Sequence, residues 1–123
     1  MIRGTFTGSL EAVVRLRLRG PTGTEIDLDA VIDTGFDASL TLPDSAALAM
    51  GLVRRSRGRA ALADGTIRHY SLYAAEVEWG GRWRPLTVSA VGDEVLLGMG
   101  LLAGHRLTID AVPGGLVEIT PLP

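Results

Sequence analysis

The sequence contains no cysteine and no long apolar run. Without cysteine the chain can form no disulfide framework, thiolate metal site or cysteine nucleophile. Its longest uncharged apolar stretch, residues 95–104, is far shorter than the roughly 20 residues that span a bilayer. Residues 1–6 do not open an apolar segment of the signal-peptide type. We therefore expect a cytoplasmic protein with no membrane partner.

Lysine is also absent, so all 12 cationic side chains belong to arginine, against 14 acidic residues. The net charge of −2 does not suggest a nucleic-acid partner. Four of the arginines cluster between residues 54 and 59, where a basic patch could contact phosphates: Arg54, Arg55, Arg57 and Arg59. Because serine and glycine separate them, we interpret the cluster as a solvated turn.

His69 and His105 lie far apart in the sequence and show no metal-ligand spacing. We expect both to be structural, and we expect neither a metal nor a cofactor. The serines lack the context of a nucleophile elbow, so a serine hydrolase is unsupported.

The length of 123 residues and the hydrophobic content of 46% suit one small core, and we expect residues 1–123 to form a single domain. Residues 13–19 alternate apolar and basic side chains from Val14 on, residues 20–23 have turn composition, and residues 25–32 resume the alternation. This pattern predicts a β-hairpin whose second strand enters the core.

The rest of the chain also has the composition of an all-β protein, apart from one clear helix at residues 43–51. The residues after Gly98 are compatible with a second short helix. We predict a strand near residues 60–63, a turn at Asp64 and Gly65, and strands over residues 67–78 and 83–91. Residues 107–110 and 116–119 predict a last hairpin.

The most informative motif is the run Ala30-Val31-Ile32-Asp33-Thr34-Gly35. An apolar, β-branched run predicts a buried strand, and a carboxylate at its end must be either satisfied or functional. A second apolar segment, residues 95–102, contains Leu96-Leu97-Gly98.

Asp33-Thr34-Gly35 is the signature tripeptide of the pepsin and retropepsin aspartic proteases. With the second apolar segment in the expected order, residues 13–119 resemble a bacterial-type retropepsin-like chain. The resemblance implies an all-β fold, a small closed retropepsin-like (acid protease) barrel with one or two short helices. It also implies an aspartic endopeptidase that hydrolyses extended polypeptide.

The resemblance assigns catalysis to Asp33, Thr34 and Gly35. Two carboxyl groups that share one proton can activate water and polarise a peptide carbonyl at the same time. This chain has one such tripeptide, so the second Asp33 would come from another copy in a homodimer. Thr34 would hydrogen-bond across to the other loop, and Gly35 would let the two loops approach.

Substrate binding is assigned by the same resemblance to Asp37, to Phe36 beside the aspartate, and to a flap hairpin at Asp64, Gly65 and Thr66 that closes over substrate. Met99 departs from the family, which usually places an arginine after the second glycine, so the dimer-stabilising network of that arginine is in doubt.

Several alternatives stay open. Asp33 could merely cap a turn, Asp37 could be a surface acid, Phe36 could belong to the core, and residues 64–66 could form a plain surface hairpin. The alternative function is a non-catalytic peptide-binding or dimerisation module on the retropepsin fold.

Overall fold

A computed structural model describes residues 1–123, which form ten strands and two short helices. The strands are β1 (Ile2–Phe6), β2 (Ala12–Arg19), β3 (Glu25–Ile32), β4 (Leu40–Thr41), β5 (Val53–Ala61), β6 (Ile67–Trp79), β7 (Arg82–Ser89), β8 (Leu96–Leu97), β9 (His105–Ile109) and β10 (Leu116–Pro121). The helices are α1 (Asp44–Ala49) and α2 (Met99–Leu102). The predicted all-β class with two short helices is confirmed.

The ten strands form one sheet in the order β5-β6-β7-β4-β8-β3-β2-β1-β10-β9, and an additional pairing joins β6 to β2. That pairing closes a ring through β6, β7, β4, β8, β3 and β2. Strand β5 extends from the ring on one side, and β1, β10 and β9 extend from β2 on the other. The ring corresponds to the closed barrel expected from the sequence.

The predicted first hairpin is confirmed, with β2 and β3 antiparallel from Val13 opposite Val31 to Arg19 opposite Glu25. Alternate residues of β2 are buried while Arg15 and Arg17 are exposed. Those arginines form ion pairs across the hairpin with Asp29 and Asp27. Alternation therefore fixes the register, because a shift of one residue would turn the arginines into the core.

The core is built mainly from buried residues of β2, β6 and β10, and further buried residues come from β3, β4, β7, β8 and both helices. Its fully buried members include Leu18, Leu40, Val77, Leu97 and Leu101. Neither helix is long and apolar enough to cross a membrane.

Helix α1 follows Pro43, has Asp44 in its first turn and is followed by Gly51 at φ 65°. These features match the predicted helix, since proline suits a helix start and glycine readily adopts the left-handed conformation after its end. Helix α2 begins directly after Gly98.

The interpretation of the arginine cluster as a turn is wrong. Arg54, Arg55, Arg57 and Arg59 all lie in β5, which pairs with β6 along its length. Most of β5 is exposed on both faces, so the sequence carries no alternation to reveal it. Hydrogen bonding to β6 makes this segment a strand, with a register irregularity between Arg54 and Ser56.

Candidate functional site

Asp33 is the first residue after β3, at the point where that strand runs parallel to β8. Val31 lies opposite Leu96, and Ile32 lies opposite Leu97. The Asp33 N–H donates to the Leu97 carbonyl over 2.9 Å. The two apolar segments singled out in the sequence therefore lie side by side, and the second one fixes the backbone at the predicted catalytic residue.

Asp33 is a partly buried residue, and its Oδ1 accepts an exposed hydrogen bond of 2.9 Å from the Gly35 N–H. The Phe36 N–H donates to the Asp33 carbonyl over 3.2 Å and closes the turn. Asp33 thus does cap its own turn, as aspartates in such turns commonly do. This bond engages one carboxylate oxygen, and Oδ2 makes no side-chain hydrogen bond within the chain.

Thr34 and Gly35 are exposed at the tip of this turn. Gly35 has no near neighbour other than Asp33, whose Oδ1 lies 3.3 Å from the position of an added Cβ. The roles predicted for Thr34 and Gly35 involve a second copy of the loop, and they stay predictions.

The loop after Asp33 is fastened to the start of α2 by three backbone hydrogen bonds. They run from Gly98 N to Ser39 O (2.9 Å), from Met99 N to Phe36 O (2.7 Å) and from Gly100 N to Ala38 O (3.0 Å). The predicted second motif therefore holds the loop after Asp33 through the backbone of Gly98 and the first two residues of α2.

Gly98 is the point of closest approach between these two segments. A Cβ there would lie 2.5 Å from Phe36 Cδ2 and 2.7 Å from Phe36 O, and it would also clash with the carbonyl oxygen of Ala38. Phe36 is half-buried with its ring against Gly98, which favours the packing role that the sequence left open.

Thr41 is a supporting residue that the sequence did not reveal. Its side chain is buried, its hydroxyl donates to the Glu94 carbonyl over 2.8 Å, and it accepts a 2.7 Å hydrogen bond from the Leu96 N–H. These bonds join β4 to the segment that enters β8. The signal available in the sequence was a threonine that stands between two leucines, Leu40 and Leu42. In the structure both leucines are fully buried.

Asp37 is exposed, and its side chain makes no hydrogen bond or ion pair within the chain. The other predicted binding residues form the turn of the β5–β6 hairpin, where Gly65 adopts a φ of 87°. Asp64 Oδ1 accepts hydrogen bonds from the Thr66 hydroxyl (2.6 Å) and the Thr66 N–H (3.0 Å). The hydroxyl bond is the main reason that the pKa of Asp64 lies below its usual value.

The predicted hairpin therefore exists, but no hydrogen bond or ion pair joins its turn to the Asp33 loop. The clefts around Leu16, His69 and Ala75 are lined by other residues, and Asp33 belongs to none of the three. No group of three or more metal-ligating side chains is present. A single chain presents one copy of the predicted catalytic carboxylate, that of Asp33.

The sequence matches no protein-family model, and no curated protein matches it significantly. The structure is similar to the crystal structure of a retropepsin-like aspartic protease from Rickettsia conorii, with a TM-score of 0.61. The chain has the retropepsin-like fold. The match covers 99% of this chain and 91% of the other at 15% sequence identity, so the retropepsin-like fold predicted from Asp33-Thr34-Gly35 and Gly98 is confirmed at the level of architecture.

Proposed function

We propose that the protein is an aspartic endopeptidase that acts as a homodimer. The observation that carries the proposal is the placement of Asp33 directly after β3, with its backbone bonded to Leu97 and one carboxylate oxygen bonded to Gly35. The first bond holds the Asp33 backbone and the second orients its carboxylate, and general acid–base catalysis requires such positioning. The retropepsin-like fold supports the same interpretation.

In the proposed mechanism, two Asp33 carboxyls face each other across a twofold axis and hold one proton between them. The ionised carboxylate takes a proton from a water molecule as the water attacks the peptide carbonyl. The protonated carboxyl donates to the carbonyl oxygen and stabilises the charge that develops there. The carboxyl that took the water proton then gives it to the amide nitrogen, and the carbon–nitrogen bond breaks to release the amine. The other carboxylate takes a proton back from the hydroxyl group of the diol, which leaves the acid product and restores one proton to the pair.

The exposed residues around Asp33 fit this dimer. Thr34 and Gly35 are both exposed, so they are accessible to the loop of a second copy. Asp37 is exposed and unpaired, so its carboxylate can accept hydrogen bonds from the main chain of an extended substrate. The turn at residues 64–66 would close over that substrate and exclude water.

The proposal is tested by cleavage of an unfolded, dye-quenched polypeptide across a pH series. Asp33→Asn removes both the base and the acid of the pair, and we expect activity to fall by roughly 10²–10⁴-fold or more. Asp110→Asn is the matched control, because Asp110 is an exposed carboxylate outside the site. Only the pair with one proton is competent, so activity should rise and then fall with pH.

Mixing the two forms tests the dimer. If each active site needs two Asp33 residues, an equal mixture of exchanged wild-type and Asp33→Asn chains leaves about a quarter of the dimers intact. Activity per wild-type chain should then fall by about half. Unchanged activity in the mixture would refute a shared site, and binding of polypeptide without cleavage would favour the non-catalytic module.

A further inference from the structure

Residues 53–72 form the outer part of the β5–β6 hairpin, which we call the basic hairpin. It carries five arginines and one acidic residue, Asp64: the arginines are Arg54, Arg55, Arg57, Arg59 and Arg68. Its formal charge is therefore +4, whereas the whole chain carries −2, so the remaining residues carry −6. The basic hairpin is therefore strongly positive, and the rest of the chain is negative.

None of the five arginines has an acidic partner within the chain. The three ion pairs of the structure use Arg15, Arg17 and Arg19, all on β2. The carboxylate of Asp64 is engaged by Thr66 at the turn. All five guanidinium groups of the basic hairpin are on exposed residues, and their donors are available to a ligand.

Strand β5 also has a free edge. It stands at one end of the sheet and pairs only with β6, which leaves the backbone groups along its other edge without a strand partner. Such an edge can accept an extended polypeptide as an added strand, with main-chain hydrogen bonds supplying affinity.

The spacing of the arginines suits an extended acidic partner. Arg57 and Arg59 are two residues apart on one strand, so their side chains leave the same face about 7 Å apart. An added strand presents its own alternate side chains at the same interval. Aspartate or glutamate at alternate positions can therefore meet successive guanidinium groups, each in a two-pronged hydrogen-bonded pair.

We propose that the basic hairpin binds extended polypeptide segments with acidic residues at alternate positions, by strand addition to β5. The proposal goes beyond the proposed function and does not require catalysis. A single-stranded nucleic acid fits less well, because such sites combine basic charge with stacking aromatic rings. The basic hairpin contains no Phe or Trp, and the ring of its one tyrosine, Tyr70, lies over Gly58.

The test uses the full chain carrying Asp33→Asn, which prevents cleavage of the probe. The probe is a fluorescein-labelled peptide of twelve residues with alternating Glu and Thr, and its counterpart has Gln in place of Glu. Fluorescence anisotropy should show binding of the acidic peptide at low salt. We expect the neutral peptide to bind at least about tenfold more weakly. Amide exchange over residues 53–61 should slow when the acidic peptide binds.

The deciding comparison is between two double variants with the same charge change. Arg57→Gln with Arg59→Gln should weaken binding about tenfold, as expected for two lost exposed guanidinium–carboxylate contacts. Arg82→Gln with Arg106→Gln removes two exposed strand arginines outside the hairpin and should change binding less than about twofold. Far-UV circular dichroism confirms that each variant is folded.

Three results would overturn the proposal. Equal binding of the Glu and Gln peptides would remove the role of charge, and equal losses in the two double variants would show a general charge effect. Tighter binding of a twelve-nucleotide oligothymidine, lost in the Arg57 and Arg59 variant, would assign the surface to nucleic acid instead. Cleavage activity does not enter any of these readouts, so the proposed function can fail without affecting them.

Discussion

The tight approach at Gly98 gives the sharpest prediction for the Asp33 loop. The backbone at Gly98 has φ −101° and ψ 179°, which any residue can adopt, so Gly98→Ala introduces no backbone strain. What the new methyl group meets is the carbonyl oxygens of Phe36 and Ala38 and the Phe36 ring. Two of these three neighbours are backbone atoms that cannot rotate away.

Overpacking in a buried site commonly costs about 1–3 kcal/mol, and here the same displacement also stretches the hydrogen bonds from Gly98 N and Met99 N. We expect Gly98→Ala to lower the free energy of unfolding by about 3 kcal/mol. For a chain of this size, that corresponds to a fall in Tm of roughly 10 °C. Urea unfolding followed by tryptophan fluorescence measures the change.

Gly8→Ala is the matched control, because an added Cβ at Gly8 meets nothing within 4 Å. We expect it to change stability by less than about 0.5 kcal/mol. A double variant that adds Phe36→Ala should not rescue Gly98→Ala, since the carbonyl oxygens remain in place. Equal effects of the two glycine variants, or rescue by Phe36→Ala, would refute the close backbone approach.

Two further predictions concern buried hydrogen bonds. Thr41→Val should lower the free energy of unfolding by about 2 kcal/mol, because the Glu94 carbonyl and the Leu96 N–H both lose their hydrogen-bond partner. Thr41→Ser keeps the hydroxyl and should retain most of the wild-type stability. Urea unfolding measures both variants. Tyr73 donates a 2.8 Å hydrogen bond to Asp44, and this bond, together with burial, raises the pKa of Tyr73 above 10.0. Because the pKa of Tyr73 is raised, its hydroxyl stabilises the folded chain fully below pH 10, and this contribution is lost as the pH rises through the pKa of the folded state. Tyr73→Phe should therefore lower the free energy of unfolding by about 1.5 kcal/mol near neutrality and by progressively less at high pH. An equal loss at every pH would contradict this assignment.

The elements that the sequence predicted well are those whose side chains report a buried face. Alternation along β2 and β3 revealed the first hairpin, because one face of that hairpin packs into the core while Arg15 and Arg17 stay outside. Proline and glycine marked the ends of α1 for a similar reason, since both residues restrict or permit particular backbone angles.

The elements that could not be predicted from the sequence depend instead on hydrogen bonds to the backbone of other segments. Strand β5 is exposed on both faces and depends on its hydrogen bonds to β6, which no local pattern encodes. At the site, the Asp33-Thr34-Gly35 motif identified the loop, but the roles of Thr41 and Gly98 depend on segments more than 50 residues away in the chain. Those contacts follow from topology and could not be derived from residue spacing alone.

The contrast between the Asp33 loop and the basic hairpin suggests how the two proposed roles can vary independently. The loop is fixed by hydrogen bonds to Leu97, by the bonds around Gly98 and by buried Thr41. A catalytic carboxylate needs that rigidity, so substitutions at the supporting residues Gly98 and Thr41 should change stability and activity together. The basic hairpin is exposed and contributes few residues to the core, so its arginines can change with little effect on folding. Substitutions in the basic hairpin should therefore change peptide binding while the structure of the Asp33 loop is kept.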